Sequence, residues 1–190
     1  MAVLATSELK KLVSESGIIS ALNDYNIQGS SIDLSIGEQV SVPKQRDLIN
    51  LFEDQEPSEL YEQVDLAKGY RLEPGCYMYG SSVESIKIPL DLCGFILPRS
   101  SFARIGLVLP MSMYANPGYE GHLPIIIYNA SKTAVMIPPY YRVCQLVLME
   151  LKGEARPYEH QKDVKYHKEK PLKSPSFKDV ELEQIFERLK

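Results

Sequence analysis

No CxxC pair occurs in the sequence, and its three cysteines, Cys76, Cys93 and Cys144, are scattered. An odd, dispersed set does not suit a disulfide framework and fits a reducing compartment. The three histidines, His122, His160 and His167, do not cluster with the cysteines, so no zinc centre or other protein-held metal is expected. The H-x-E with P-C-x-x-C pattern of zinc-dependent nucleobase deaminases is also missing. Positive charge is not in excess: 21 Lys and Arg against 25 Asp and Glu give a formal net charge of -4. A general nucleic-acid binder usually carries a basic surface, so that class is disfavoured. A small anionic ligand needs only a few local cations and stays open. No apolar run reaches membrane-spanning length. The start, "MAVLATSELKKLVSESG", lacks the continuous apolar stretch of a signal peptide. A soluble cytoplasmic protein without membrane association is expected. There is no internal repeat and no low-complexity linker.

What is present suits one domain over residues 1–190. A chain of 190 residues with 44% hydrophobic content can bury a core without a staple. "TSELKKLVSESG" reads as a short helix, with Thr6 or Ser7 as cap, Leu9, Leu12 and Val13 on one face, and Gly17 as stop. "GSSIDLSIGEQVSV" alternates, with Ile32, Leu34 and Ile36 on one face and Asp33 and Ser35 on the other, as in a half-buried strand. The acidic stretch 44–66 reads as a surface excursion with a short helix. Strands are expected at "YRLEPGCYMYGSS", "ESIKIPLDLCGFILPRSS", "IGLVLPMSMYA", "HLPIIIYNAS", "TAVMIPP" and "YRVCQLVLMEL", punctuated by Pro-Gly and Gly signals. Short strands at close spacing predict an all-β sandwich or barrel. A Lys- and Pro-rich tail follows from about residue 154, ending in a helix at "KDVELEQIFERLK".

Four stretches bear on chemistry. "PRSSFARIGL" puts Arg99, Ser100, Ser101 and Arg104 close together after an apolar strand. Arginine forks match phosphate oxygens, and serine hydroxyls add neutral donors. If a helical turn begins at Ser100, Arg104 projects over the same opening. The bland alternative is a helix capped by Ser100 or Ser101 with two solvated arginines. "QGSSIDLSIG" places Asp33 as the one charge in an apolar strand; it is either paired or bound to something, or it faces solvent. "YYRVCQLVLMEL" carries Arg142 and Gln145, which face water if the strand is an edge strand. The tail, with Tyr158, Lys165, Tyr166, Lys168, Lys170 and Lys173, either closes over a phosphate ligand or is a solvated segment.

Taken in order, these segments resemble the dCTP deaminase and dUTPase superfamily. "QGSSIDLSIG" resembles its Q-P-x-S-[IV]-D-L-R-[LI]-G, and "PRSSFARIGL" its G-R-S-S-L-A-R-L-G-L. "ANPGYEG" resembles D-P-G-[WY]-x-G, "YRVCQLVLMEL" the R-[IV]-[AC]-Q-L strand, and "ARPYEHQKDVKY" the R-P-Y and K-Y of the deaminase branch. Five colinear motifs make the likeness specific where each alone is weak. The Gly-rich C-terminal phosphate loop of trimeric dUTPases is missing, so the deaminase branch fits better.

The resemblance implies a mainly β fold, a distorted dUTPase-like barrel with short N- and C-terminal helices. It implies a homotrimer with sites between subunits, and a pyrimidine deoxynucleoside triphosphate with Mg²⁺ bound through its phosphates. By resemblance Arg99, Ser100 and Ser101 contact phosphates, and Ser100 and Arg104 support the reacting water and base. Asn116 stands near the deoxyribose and Tyr119 packs on the sugar. The backbone at Ile125 and Ile126 runs along the base. Gln145 lies nearby, and Tyr158 and Lys165 close the site from the tail.

Two positions depart from the pattern. Aligned on Asn129, the general acid/base Glu of deaminases is Ile126 here, and the catalytic Asp of dUTPases is Asn116. Isoleucine cannot transfer a proton, and Asn can position a water but is no base. Glu169 also stands where deaminases often have Gln. Three readings remain open. The protein is a pyrimidine dNTP deaminase or hydrolase with a base from elsewhere, Glu120 being nearest in sequence. Or it binds nucleotide without chemistry, as a sensor or regulator. Or it acts on a modified pyrimidine nucleotide.

Overall fold

The computed structural model describes residues 2–20, 23, 26–50, 56–110, 114–160, 164 and 166–168. The helix expected at 178–190, and positions 165 and 169, lie outside the described residues.

Helix α1 (Thr6–Ser16) buries Leu9 completely, with Leu12 and Val13 packed beside it. Gly17 ends it in the left-handed conformation at φ 57°, where a side chain would be strained. The start differs from expectation. Ala5 is the cap residue and no side chain caps the helix. Thr6 is instead the first helical residue, and its hydroxyl is shared between the Gln28 and Gly29 carbonyls at 2.9 Å each.

The rest is mainly β: β1 (Ile32–Pro43), β2 (Tyr61–Asp65), β3 (Tyr70–Leu72), β4 (Tyr77–Lys87), β5 (Leu92–Pro98), β6 (Leu107–Val108), β7 (Tyr114–Ala115), β8 (Glu120–Asn129), β9 (Val135–Ile137) and β10 (Arg142–Glu150). Two further short helices are α2 (Pro57–Leu60) and α3 (Ser100–Arg104). The main sheet runs β6-β8-β4-β1-β10-β5-β7, with β2 added on β1, and curls into a half-barrel. β3 and β9 form a separate pair. Three expected strands divide. "YRLEPGCYMYGSS" turns at Glu73–Cys76, "ESIKIPLDLCGFILPRSS" breaks at Pro89, and "IGLVLPMSMYA" supplies the short β6 and β7 among its described residues. The excursion at 44–66 contains β2 as well as the expected helix, because Tyr61–Asp65 finds Gln39–Pro43 as partner.

Along β8 the period of two is clean. Gly121, Leu123, Ile125, Ile127 and Asn129 are buried, while Glu120, His122, Pro124, Ile126 and Tyr128 are half-buried. β1 departs from the half-buried strand expected of it. Ile32 through Ile36 are all buried, including Asp33 at 4% and Ser35 at 8%. β10 is likewise no edge strand, since it lies between β1 and β5. A register shift between Leu34 and Ser35 leaves Val143 unmatched on β1, and Val143 and Cys144 are both fully buried.

Candidate functional site

β5 ends at Pro98, and Arg99 stays extended (φ -74°, ψ 139°) before α3 begins at Ser100. The cap residue is therefore Arg99 rather than either serine, and no side chain caps the helix. Phe102 anchors α3 in the core, 5.7 Å from the Tyr141 ring, while Ser100, Ser101 and Arg104 are exposed. Arg99 and Arg142 are not simply solvated. Asp33 Oδ2 lies 3.0 Å from Arg142 Nη1 and 3.4 Å from Arg99 Nε, and Arg99 Nη1 donates to the Arg142 carbonyl at 2.9 Å. The Asp33 side chain is 5% exposed and the arginines 26% and 30%. One carboxylate thus ties together two guanidinium groups, leaving a net positive charge at the start of α3. Gln145 faces Asp33 directly across the β1–β10 ladder and accepts from the Ser31 hydroxyl at 3.1 Å.

A second group gathers at the turn between β7 and β8. Tyr119 N–H closes the turn onto the Asn116 carbonyl at 3.0 Å, with Gly118 at φ 75°. Gly118 and Ile88 exchange backbone bonds with the turn (Gly118 N–H to Ile88 O, Ile88 N–H to Tyr119 O), fixing it on the loop after β4. Tyr119 is buried, and its hydroxyl donates to the His122 carbonyl at 2.8 Å. The described part of the tail is half-buried to exposed and meets this turn at Tyr158. Tyr158 N–H bonds Pro117 O at 3.0 Å, and the Tyr158 ring lies 5.8 Å from the Tyr119 ring. A pocket of about 530 Å³ lies between tail and turn, lined by Leu90, Gly118, Glu120, Pro157, His167 and Lys168 among others. It touches none of Arg99, Ser100, Ser101 or Arg104. Lys165 lies outside the described residues.

β7 pairs Ala115 with Gly94 near the start of β5, whereas Arg99 follows the end of β5. The turn with Asn116 and Tyr119 and the group Arg99, Ser100, Ser101 and Arg104 are therefore set five residues of strand apart, about 16 Å, from Gly94 to Arg99. Ile125 is fully buried opposite Gly80, and Ile126 is half-buried opposite Tyr79. Glu120 opens the same strand and lies 3.9 Å from Lys87. Six residues of strand separate it from Ile126, about 20 Å within one chain.

The acid the sequence did not single out is Glu84, 2% exposed on β4. Its Oε2 accepts from Ser35 N–H at 2.9 Å and its Oε1 from Asn26 Nδ2 at 3.3 Å. Burial pushes its carboxyl up, only partly countered by bonds from Ser35 and Asn26. Its one sequence signal is a lone charge within the apolar and serine run "YGSSVESI".

A family model described as "dCTP deaminase-like" matches residues 3–151. A protein of Methanobrevibacter smithii named "dCTP deaminase, dUMP-forming" is 31% identical over 97% of this chain and 100% of its own. One of the same name from Sulfurihydrogenibium is 29% identical, covering 82% of this chain and 88% of the relative. The solved 2'-deoxycytidine 5'-triphosphate deaminase of Agrobacterium tumefaciens superimposes with a TM-score of 0.63 at 20% identity, over 77% of this chain and 48% of that one. At that identity it speaks for the fold, and this chain spans about half its length. With the family match running from before α1 through the end of β10, the chain belongs to the dCTP deaminase-like family.

Proposed function

We propose that this protein binds a pyrimidine deoxynucleoside triphosphate and deaminates or hydrolyses it slowly or not at all. The observation that carries this reading is the Asp33–Arg99–Arg142 cluster beside an intact Ser100-Ser101 pair, combined with apolar Ile126 and the amide Asn116 where carboxylates would act. Arg99, Ser100 and Ser101 take the phosphates, with Arg104 and Gln145 at the same end. Asn116, Tyr119 and the β8 backbone at Ile125 and Ile126 take the nucleoside, and Tyr158 and Lys165 close from the tail. Mg²⁺ would arrive bound through the triphosphate.

The two halves of this site come from different subunits of a homotrimer. In support, the Asn116–Tyr119 turn leaves from beside Gly94 near the start of β5 while Arg99 follows its end, about 16 Å along the strand within one chain. Phe95, Leu97 and Tyr114 also stand 38%, 39% and 41% exposed on neighbouring strands, an apolar surface suited to a second copy. Among the described residues no helix is long and apolar enough to cross a membrane.

Calorimetric titration with dCTP, dUTP and dTTP in Mg²⁺, beside a turnover assay, tests the reading. Binding with turnover far below about 1 s⁻¹ is expected. Turnover at that rate or faster would overturn the non-catalytic part, and absence of binding to all three would overturn the whole. Losing a general base costs about 10²–10⁴-fold, so slow residual conversion agrees with the reading.

A further inference from the structure

β4 and β8 pair on either side of a break in their register. Ser81 faces Pro124, and Ser85 faces His122. Ser82, Val83 and Glu84 of β4 therefore stand opposite Leu123 alone. A bulge of this kind interrupts the backbone ladder and bends the strand that carries it. Ser82, 2% exposed, supplies bonds in place of the ladder. Its hydroxyl accepts from Leu123 N–H at 2.9 Å and donates to the Glu84 carbonyl at 2.7 Å. Its own carbonyl lies 2.8 Å from Nδ1 of the His122 ring.

A carbonyl oxygen only accepts, so the His122 Nδ1 carries the hydrogen and donates it. It does so in the neutral ring and in the charged ring alike, so the bond does not depend on titration. At the same residue, the His122 carbonyl accepts from the Tyr119 hydroxyl at 2.8 Å. His122 thus grips the bulge of β4 through its side chain and the Tyr119 ring through its main chain. Tyr119 closes the turn that begins at Asn116, and its carbonyl accepts from Ile88 N–H at 2.8 Å. Ile88 directly follows β4. The turn is therefore moored to β4 at two places, Ile88 and Ser82, and His122 is the link at the second.

We propose that His122 is a positioning residue: its Nδ1 bond to the Ser82 carbonyl fixes the Asn116–Tyr119 turn, and with it the nucleoside half of the site. The consequence for the nucleoside rests on the proposed function. A turn already held in place loses less freedom when a ligand arrives, which appears as affinity. The phosphate half is held differently, by Asp33 and the Arg142 carbonyl on Arg99. Loss of the His122 bond should therefore reach one half and spare the other.

Two variants of the full-length protein separate this role from a merely structural one. His122→Ala removes the donor, and His122→Asn puts an amide N–H close to the place of Nδ1. Calorimetric titration with dCTP and with inorganic tripolyphosphate, both in Mg²⁺, reads the two halves. His122→Ala should weaken dCTP about three- to tenfold, the scale of one hydrogen bond, and leave tripolyphosphate unchanged. His122→Asn should restore most of the dCTP affinity. No loss for dCTP, an equal loss for both ligands, or a His122→Asn no better than His122→Ala would overturn the proposal. Amide hydrogen exchange without nucleotide tests the mooring by itself. The Gly118 and Tyr119 amides, bonded to Ile88 O and Asn116 O, should exchange about three- to tenfold faster in His122→Ala and recover in His122→Asn, with β10 unchanged. Unchanged exchange at the turn in His122→Ala, or faster exchange throughout the protein, would overturn the proposal. The expected exchange pattern in a protein that binds no nucleotide would leave the mooring standing and remove only the proposed function.

Discussion

Asp33 on β1 lies 3.0 Å from Arg142 on β10 and 3.4 Å from Arg99 beyond β5, so one buried acid orders two guanidinium groups from separate strands. Arg99 also holds the Arg142 carbonyl, which locks the junction between β5 and α3 onto β10. A guanidinium that is already fixed loses less freedom when a phosphate arrives.

Replacing Asp33 by Asn keeps the shape and removes the charge. Two arginines are then left facing each other without their counter-charge. Removing one partner of a fully buried pair costs about 3–5 kcal/mol. The arginines here are 26% and 30% exposed, so solvent softens the loss. Urea denaturation should show a loss of about 2 kcal/mol, and nucleotide affinity should fall about tenfold. Unchanged stability would mean that the cluster is not formed.

Asn129, fully buried at the end of β8, satisfies its whole amide locally. Its Nδ2 donates to the Leu72 and Thr133 carbonyls, and its Oδ1 accepts from the Ser131 N–H and hydroxyl. Asn129→Ala leaves the buried Leu72 carbonyl and the half-buried Ser131 N–H without this partner, while the Ser131 hydroxyl keeps the Thr133 carbonyl at 2.9 Å. A loss of about 3 kcal/mol or more in urea denaturation is expected. A loss below about 1 kcal/mol would show that the 129–133 turn can refold around the gap.

Glu84 gives a pH signature with a definite sign. Burial raises its carboxyl above the ordinary value, so the folded state binds the proton more tightly than the unfolded chain. Its contribution to stability is therefore fullest below the ordinary Glu range, and it declines as pH rises through the raised folded value. Glu84→Gln lacks this decline. The stability gap between unmodified protein and variant should be widest near pH 4 and narrow toward pH 7, as read from thermal midpoints. A gap that widens with pH would show that the carboxylate form is the favoured one.

Ile126→Glu puts a carboxylate back at the position where the resemblance places the general acid/base. The side chain is half-buried on β8, opposite Tyr79, so a charge there is not forced into the core. The variant should gain measurable release of ammonia from dCTP while keeping its affinity. Unchanged affinity without any gain would show that the rest of the catalytic arrangement has also been lost.

The parts of this fold readable from sequence are those where one face is apolar and a turn residue marks the end. β8 and α1 are legible because Leu123, Ile125 and Ile127, or Leu9 and Gly17, state period and boundary together. β1 is misleading for a physical reason. Asp33 has the spacing of a solvent-facing residue, and its burial depends on arginines 66 and 109 residues away, 99 - 33 and 142 - 33. Nothing local encodes that pairing. The edge reading of β10 fails in the same way, since Arg142 and Gln145 look solvated until Asp33 and Ser31 are placed beside them. β2 is hidden because Tyr61–Asp65 has little apolar pattern and becomes a strand only through backbone pairing with β1. At the candidate site, the motif order is legible. Glu84 is not, because its role lies in contacts with Asn26 and Ser35 on other segments.

Gly118 tests whether the tail depends on the turn. Its φ of 75° disfavours any side chain, and an added Cβ would stand 3.1 Å from Leu90 Cδ2, 3.2 Å from Tyr158 N and 3.4 Å from Pro157 Cα. The Leu90 tip can move aside, since that residue is 50% exposed. The tail backbone cannot move without giving up the Tyr158 bond to Pro117. Gly153→Ala is the matched control, because it shares a positive φ (100°) but its Cβ would meet nothing within 4 Å. Both variants should lose about 1 kcal/mol to backbone strain. Only Gly118→Ala should free this part of the tail, seen as faster tryptic cleavage after Lys168, whose N–H bonds the Glu120 carbonyl, and increased exchange at Tyr158. Equal cleavage in the two variants would mean that the tail is held by contacts other than its seat on Gly118.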